Sequence, residues 1–156
     1  MHIEEFCQTY NLGEVKKIEK LTGGLMHKMY KVETTEKVYA IKILNPEVMK
    51  KDNALNNFIT SETISNLAKN NGIPVSSALK INGTFIPKYK DNYYMIFDFI
   101  EGHTFKDEEI TIKHCRKIGQ LLSSIHNLDY KDLGLNKEIK EDHFFVDWTS
   151  FIDNPN

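Results

Sequence analysis

What this 156-residue chain lacks narrows its class before any motif is read. Its two cysteines, Cys7 and Cys115, are isolated from each other and from any ligand spacing. They provide neither a disulfide framework nor a zinc site, and both are expected to be reduced, inert thiols. Arg116 is the only arginine among 20 basic residues, and the net charge is −2 with an isoelectric point near 6.3. A dedicated nucleic-acid binder would carry a basic stripe, so no nucleic-acid partner is expected. No apolar run reaches the length of a membrane-spanning helix, and the first residues lack a signal pattern. A soluble, cytoplasmic protein without a membrane partner is therefore the expectation. Internal repeats, low-complexity tracts and Pro/Ser/Gly linkers are also missing, and the length suits one ordinary domain.

What is there begins with one charge inside an apolar run, Val38-Tyr39-Ala40-Ile41-Lys42-Ile43-Leu44. Period-two alternation puts Val38, Ala40, Lys42 and Leu44 on one face and Tyr39, Ile41 and Ile43 on the other, so both faces are apolar and the strand should be buried. An unpaired buried ammonium would cost several kcal/mol. Lys42 therefore either meets a carboxylate or phosphate, or lays its stem along the sheet and carries its head to water. Upstream, Leu21-Thr22-Gly23-Gly24-Leu25-Met26-His27-Lys28-Met29-Tyr30-Lys31-Val32 reads as strand, glycine turn, strand. Adjacent glycines permit positive φ and leave N–H groups uncovered, which suits close approach of phosphate oxygens; the same pair also serves a plain hairpin. A glycine turn, a second strand and then a lysine strand is the order found in protein kinases.

A helix expected over residues 54–71 places Leu55, Phe58, Ile59 and Glu62 at i, i+3, i+4 and i+7, so a carboxylate sits within its apolar stripe. Glu62 is the natural partner for Lys42; the alternative is a glutamate at the stripe's edge reaching water. Residues 93–100 form an aromatic-rich apolar stretch ended by Glu101-Gly102, read as an inner strand running into a turn with Asp98 as its one interruption. Ala40 shares the face of Lys42, and Val32 would join it in lining a slot if it faces the same cleft. A short helix over residues 3–10, strands near residues 77–81 and 93–99, and a long helix over residues 110–126 with Ile118, Leu121, Leu122 and Ile125 on one stripe complete the reading.

These pieces, together with S-E-T-I-S-N-L-A-K-N-N-G-I-P-V, Y-Y-M-I-F-D-F-I-E-G and I-G-Q-L-L-S-S-I-H-N-L, resemble the aminoglycoside phosphotransferase and choline kinase-like small-molecule kinases, over about two thirds of the chain. The resemblance implies an α+β, protein kinase-like N-lobe in residues 1–100, a five-stranded antiparallel sheet plus one main helix, followed by a hinge and the beginning of a helical C-lobe in residues 101–156. It implies ATP with Mg as cofactor and a small-molecule acceptor as partner. The loop around Gly23 and Gly24 would cover the phosphates, His27 would belong to the same nucleotide site, Lys42 would contact the α- and β-phosphates, and Glu62 would hold Lys42. The main chain from Asp98 to Ile100 would read adenine, with Val32 and Ala40 lining the slot.

One required element has no counterpart. Phosphoryl transfer of this kind uses an H-x-D-x-x-x-x-N segment and a later metal-binding aspartate, and the chain contains no such segment. His126 and Asp129 have the wrong spacing, and Gly134 stands where the asparagine would be. Phe145-Val146-Asp147-Trp148 looks like the family's metal segment but has no catalytic loop before it; Trp148 reads instead as an aromatic anchor. His143 beside Asp142 is not a site by itself. The expectation is an N-terminal part of a longer kinase, inactive alone, with uncovered C-lobe helices prone to self-association. A noncatalytic nucleotide-binding module and a plain α+β interaction domain remain the other readings.

Overall fold

The computed structural model describes residues 2–22 and 26–133. Gly23, Gly24, Asp142, His143, Asp147 and Trp148 lie outside the described residues. The architecture is a five-stranded antiparallel sheet with a helix on each face, the kinase-like α+β arrangement that the motifs imply. Strands β1 (Val15–Leu21), β2 (Lys28–Thr34) and β3 (Val38–Ile43) form two successive hairpins. Strands β4 (Lys88–Tyr89) and β5 (Asn92–Asp98) form a third, and β5 inserts beside β3 to give the order β1-β2-β3-β5-β4.

The strand expected at residues 77–81 is not formed, and the two-residue β4 takes the fifth place. Asn82 and Gly83 both have positive φ, and Ile81 and Thr84 exchange backbone bonds of 2.8 and 3.1 Å. That is the geometry of a primed two-residue turn, which reverses the chain before a ladder can grow. Only the Leu79 N–H reaches β5, donating to the Ile96 carbonyl at 2.7 Å.

Helix α1 (Ile3–Thr9) covers one sheet face. Its apolar side, Ile3, Phe6 and Cys7, is fully buried against Tyr30, Val32, Tyr39, Ile41, Tyr94 and Ile96. Phe6 stacks on Tyr94 with ring centroids 4.1 Å apart. Burial pushes the Cys7 thiol up to about 11, so it stays protonated and inert, as expected of an enclosed thiol. After α1 the chain turns at Gly13, whose φ is +94° and where a Cβ would stand 2.9 Å from side-chain atoms of Thr34, Thr35 and Glu36 in the β2–β3 turn. Only glycine fits this contact between the first turn and the second hairpin.

The opposite face carries a smaller core of Leu44, Ala78, Phe85, Ile86 and Met95. Leu55 and Phe58 of helix α3 (Ala54–Asn70) pack against it, and the short helix α2 (Pro46–Met49) leads into α3. Ile59, expected within the α3 stripe, is instead exposed, whereas Ala54, Glu62 and Ala68 are buried. Helix α4 (Ile112–His126) is strongly amphipathic, yet no residue of it is buried among the described residues. Ile118 and Leu122 stand exposed on its stripe. No described helix is long and apolar enough to cross a membrane.

An exposed cluster ties α1 to the β4–β5 turn. The Lys90 ammonium, the Tyr89 hydroxyl and the His2 ring all meet the Glu5 carboxylate and hold its pKa at about 2, below the ordinary 4.5. A depressed carboxyl pKa adds stability above the unfolded value and loses it as pH falls from about 4.5 towards about 2. Glu5→Gln should therefore lower the unfolding midpoint at neutral pH. The gap to the parent protein should close on acidification through that window; a gap independent of pH would assign the effect to something other than this carboxylate.

Candidate functional site

The β2–β3 and β3–β5 registers decide what shares a face with Lys42. Lys42 lies opposite Met29 on one side and Met95 on the other, while Ala40 lies opposite Lys31 and Phe97. Cross-strand partners point to the same face of a sheet. Met29, Lys31, Ala40, Lys42 and Phe97 therefore line the face toward α3, and the chain leaving β5 closes it from one side. Among these groups runs a cleft of about 240 Å³ bounded by Met29, Ala40, Lys42, Ser76 and Phe97, and by Asp98, Phe99 and Ile100.

Lys42, Ala40, Asp98 and Ile100 are thus brought together as anticipated. Val32 is not: it pairs with Tyr39, so its side chain points to the opposite face and is fully buried under α1. Period two fixes parity within one strand but not between strands, which depends on the length of the β2–β3 turn. Met29 and Lys31 hold the positions expected of Val32. They are identifiable from sequence only when that turn is read as the four residues from Thr34 to Lys37. The Thr34 hydroxyl closes it, accepting from the Glu36 and Lys37 N–H groups and donating to the Lys37 carbonyl.

Asp98 contributes main chain rather than side chain. It pairs with Tyr39, so its carboxylate points away from the cleft, where it is ion-paired with Lys37. That hydrogen bond raises the Lys37 pKa. Beyond it the Phe99 N–H still donates to the Val38 carbonyl at 3.2 Å, so the sheet reaches one residue into the hinge before the chain departs. Ile100 is 70 % exposed at the cleft mouth.

The anticipated Lys42–Glu62 ion pair is absent. Glu62 is buried at 8 % exposure, as its place in the stripe requires, but its carboxylate accepts the Ala78 N–H at 2.7 Å. Lys42 makes no ion pair among the described residues. The helix carries its glutamate inward, and the backbone after α3 reaches it first. Because every buried side-chain polar atom among the described residues has a partner, the Glu62–Ala78 bond is part of a satisfied interior. Glu62→Gln keeps an acceptor carbonyl there and should cost little. Glu62→Leu orphans a buried N–H and should lower unfolding free energy by about 1–3 kcal/mol. Equal losses in denaturant titrations of the two variants would show that the charge, not the Ala78 bond, is what matters at this position.

His27 does not line the smaller cleft. Its Nδ1 accepts the Asn45 N–H at 3.1 Å and its ring meets Phe58 edge-on at 5.6 Å, pinning the start of β2 to the β3–α2 corner. Burial, then the nearby Lys42 charge, pushes its pKa down, which keeps the acceptor nitrogen free of a proton. His27 lines a second hollow, of about 580 Å³, with Lys20, Thr22, Met26, Lys28 and Asn45, beside the glycine-bearing connection. Met29 borders both spaces. The larger lies within the about 300–1,000 Å³ typical of small-molecule sites, and the smaller suits a flat ring. An apolar slot with a lysine at its inner end, next to a hollow lined by two further lysines, Lys20 and Lys28, is chemically suited to a planar heterocycle carrying an anionic tail.

No protein-family model matches the chain, and no curated protein matches it in sequence. Among solved structures it is similar to spectinomycin phosphotransferase APH(9)-Ia, in complex with ADP and spectinomycin, with a TM-score of 0.66 and 18 % identity over 88 % of this chain and 41 % of that one. It is also similar to a candidate aminoglycoside phosphotransferase from Ralstonia eutropha JMP134, with a TM-score of 0.59 and 12 % identity over 86 % of this chain and 40 % of that one. The chain thus spans about two fifths of the length of these neighbours. In its sheet and helices it has the kinase-like fold of the aminoglycoside phosphotransferases.

Proposed function

We propose that this chain is the nucleotide-binding part of an ATP-dependent phosphotransferase acting on a small hydroxyl-bearing metabolite or an aminoglycoside. The observation that carries the reading is the convergence of Lys42, Ala40 and the hinge from Asp98 to Ile100 on one cleft. Adenine would enter the slot between Ala40 and the hinge main chain. Lys42 would meet the phosphates, with Gly23 and Gly24 covering them and His27 acting indirectly by holding the β2 end. In this reading residues 1–100 would be the nucleotide lobe, and residues 101–156 would be the hinge and the beginning of the second lobe. The cytoplasm, where ATP is abundant, is the proposed setting.

The described residues fit the nucleotide better than they fit a metal. The cleft offers an apolar slot and a cation, but no cluster of three or more His, Cys, Asp or Glu side chains suited to a metal ion occurs among the described residues. Magnesium enters this reading only through the phosphates it accompanies. Because the 156 residues contain no H-x-D-x-x-x-x-N segment, binding without turnover is the expected behaviour of the chain as it stands. The exposed stripe of α4, with Ile118 and Leu122, supports self-association at high concentration.

A noncatalytic nucleotide-binding role is the second reading, favoured by the Glu62–Ala78 bond, which leaves Lys42 without the helix carboxylate. Both roles require nucleotide binding. A ligand that binds only the folded state stabilises it, by about 2.7 kcal/mol at a hundred times its Kd. ADP and ATP should accordingly raise the unfolding midpoint of the chain. No shift at millimolar nucleotide would overturn both readings and leave a plain interaction domain. Transfer of phosphate by the 156-residue chain to any amino-alcohol or aminoglycoside would overturn the expected lack of turnover.

A further inference from the structure

We propose that Lys31 and Glu101 form a latch across the mouth of the cleft, making Lys31 a positioning residue for the nucleotide; the inference rests on the nucleotide reading above. Lys31 sits opposite Ala40 on the cleft face of β2, where a small or apolar residue would suffice to roof a slot. Its side chain is only 20 % exposed, and its ammonium leaves the sheet to reach the hinge. There Nζ stands 4.3 Å from the centroid of the Phe99 ring and 3.1 Å from Glu101 Oε1. Phe99 is itself a wall of the cleft. One side chain therefore joins the β2 roof to the hinge floor through a cation–π contact and an ion pair.

The consequence is geometric. The hinge beyond Phe99 makes no ladder contact with the sheet, since the last β3–hinge bond is Phe99 N–H to the Val38 carbonyl. The lysine is what ties the segment carrying Ile100 and Glu101 to the opposite wall. With the latch closed, roof and hinge are held at one spacing, and an occupant leaves only when that spacing opens. Its effect should fall mainly on departure, because pre-organised contacts lengthen residence more than they speed encounter. Glu101 is 81 % exposed, so the pair acts in water and its contribution is modest. An exposed pair with a cation–π contact corresponds to about a three- to tenfold effect.

The test is stopped-flow displacement of a fluorescent ribose-labelled ADP from the 156-residue chain. Lys31→Met, which keeps an unbranched stem over the slot, and Glu101→Gln, at an exposed position that threatens no folding, should each raise the dissociation rate about three- to tenfold with little change in association rate. The double variant should do no more than Lys31→Met alone, and the charge-swapped Lys31→Glu with Glu101→Lys should return the part of the loss that belongs to the ion pair, since a glutamate makes no cation–π contact with Phe99. Parent protein that binds while both single variants release at the parental rate would overturn the latch and leave the nucleotide reading standing. Additive single effects, or no recovery on charge swap, would overturn it as well. Failure of the parent protein to bind would overturn both.

Discussion

Lys42→Met is expected to weaken ADP and ATP binding about 10- to 100-fold while leaving the chain folded, because hydrogen bonds to charged groups contribute about 1.5–3 kcal/mol and each 1.4 kcal/mol is tenfold. Had Lys42 been locked to Glu62, its removal would have stranded a buried carboxylate at a cost of about 3–5 kcal/mol in stability. Glu62 is instead satisfied by the Ala78 N–H, so the substitution deletes a charge without orphaning its partner. Methionine also preserves an unbranched stem between Met29 and Met95. Titration calorimetry with ADP, beside denaturant unfolding of the same variant, separates the two effects. Unchanged affinity would remove Lys42 from the phosphate site; a large stability loss would show that the lysine has a structural partner after all.

Phe6→Ala should be the more damaging change to the molecule as a whole, lowering unfolding free energy by about 3–5 kcal/mol. The ring is fully buried, stacks on Tyr94, and touches Tyr10 and Tyr89 at centroid distances of 4.9 and 6.2 Å. It belongs to α1, which covers the sheet face away from the cleft, so the loss should appear in stability rather than in the slot's geometry. A rigid aromatic cluster cannot collapse onto the space an alanine leaves, which places the expected cost high in its range. Urea titration of the variant checks this. A loss under 1 kcal/mol would mean that α1 is not held on the sheet as described.

Much of the architecture is legible in the sequence. The glycine turn marked β1 and β2 on either side of it, the apolar run around Lys42 marked β3, the aromatic run marked β5, and helical spacing marked α1, α3 and α4, because each pattern is a local property of one segment. The stretch at residues 77–81 misled for a reason equally local in origin: its apolar residues suit a strand, but the Asn82-Gly83 turn reverses the chain before a second ladder bond forms. Glu62 was correctly read as an inward carboxylate in its helix, and Lys42 as a strand residue on the face shared with Ala40.

The sequence by itself determined which segments are strands and helices, which side chains within one strand share a face, and that a lysine, an inward glutamate and an aromatic strand end occur in kinase order. Only the tertiary structure decided relations between segments. It turned Val32 to the α1 face because the β2–β3 register pairs it with Tyr39, put Met29 and Lys31 on the cleft face, and gave Glu62 to Ala78 instead of Lys42. Periodicity is a property of a single stretch of backbone. Register and side-chain pairing depend on turn length and on which of several nearby polar groups reaches a buried charge first, and those are set when separate segments pack.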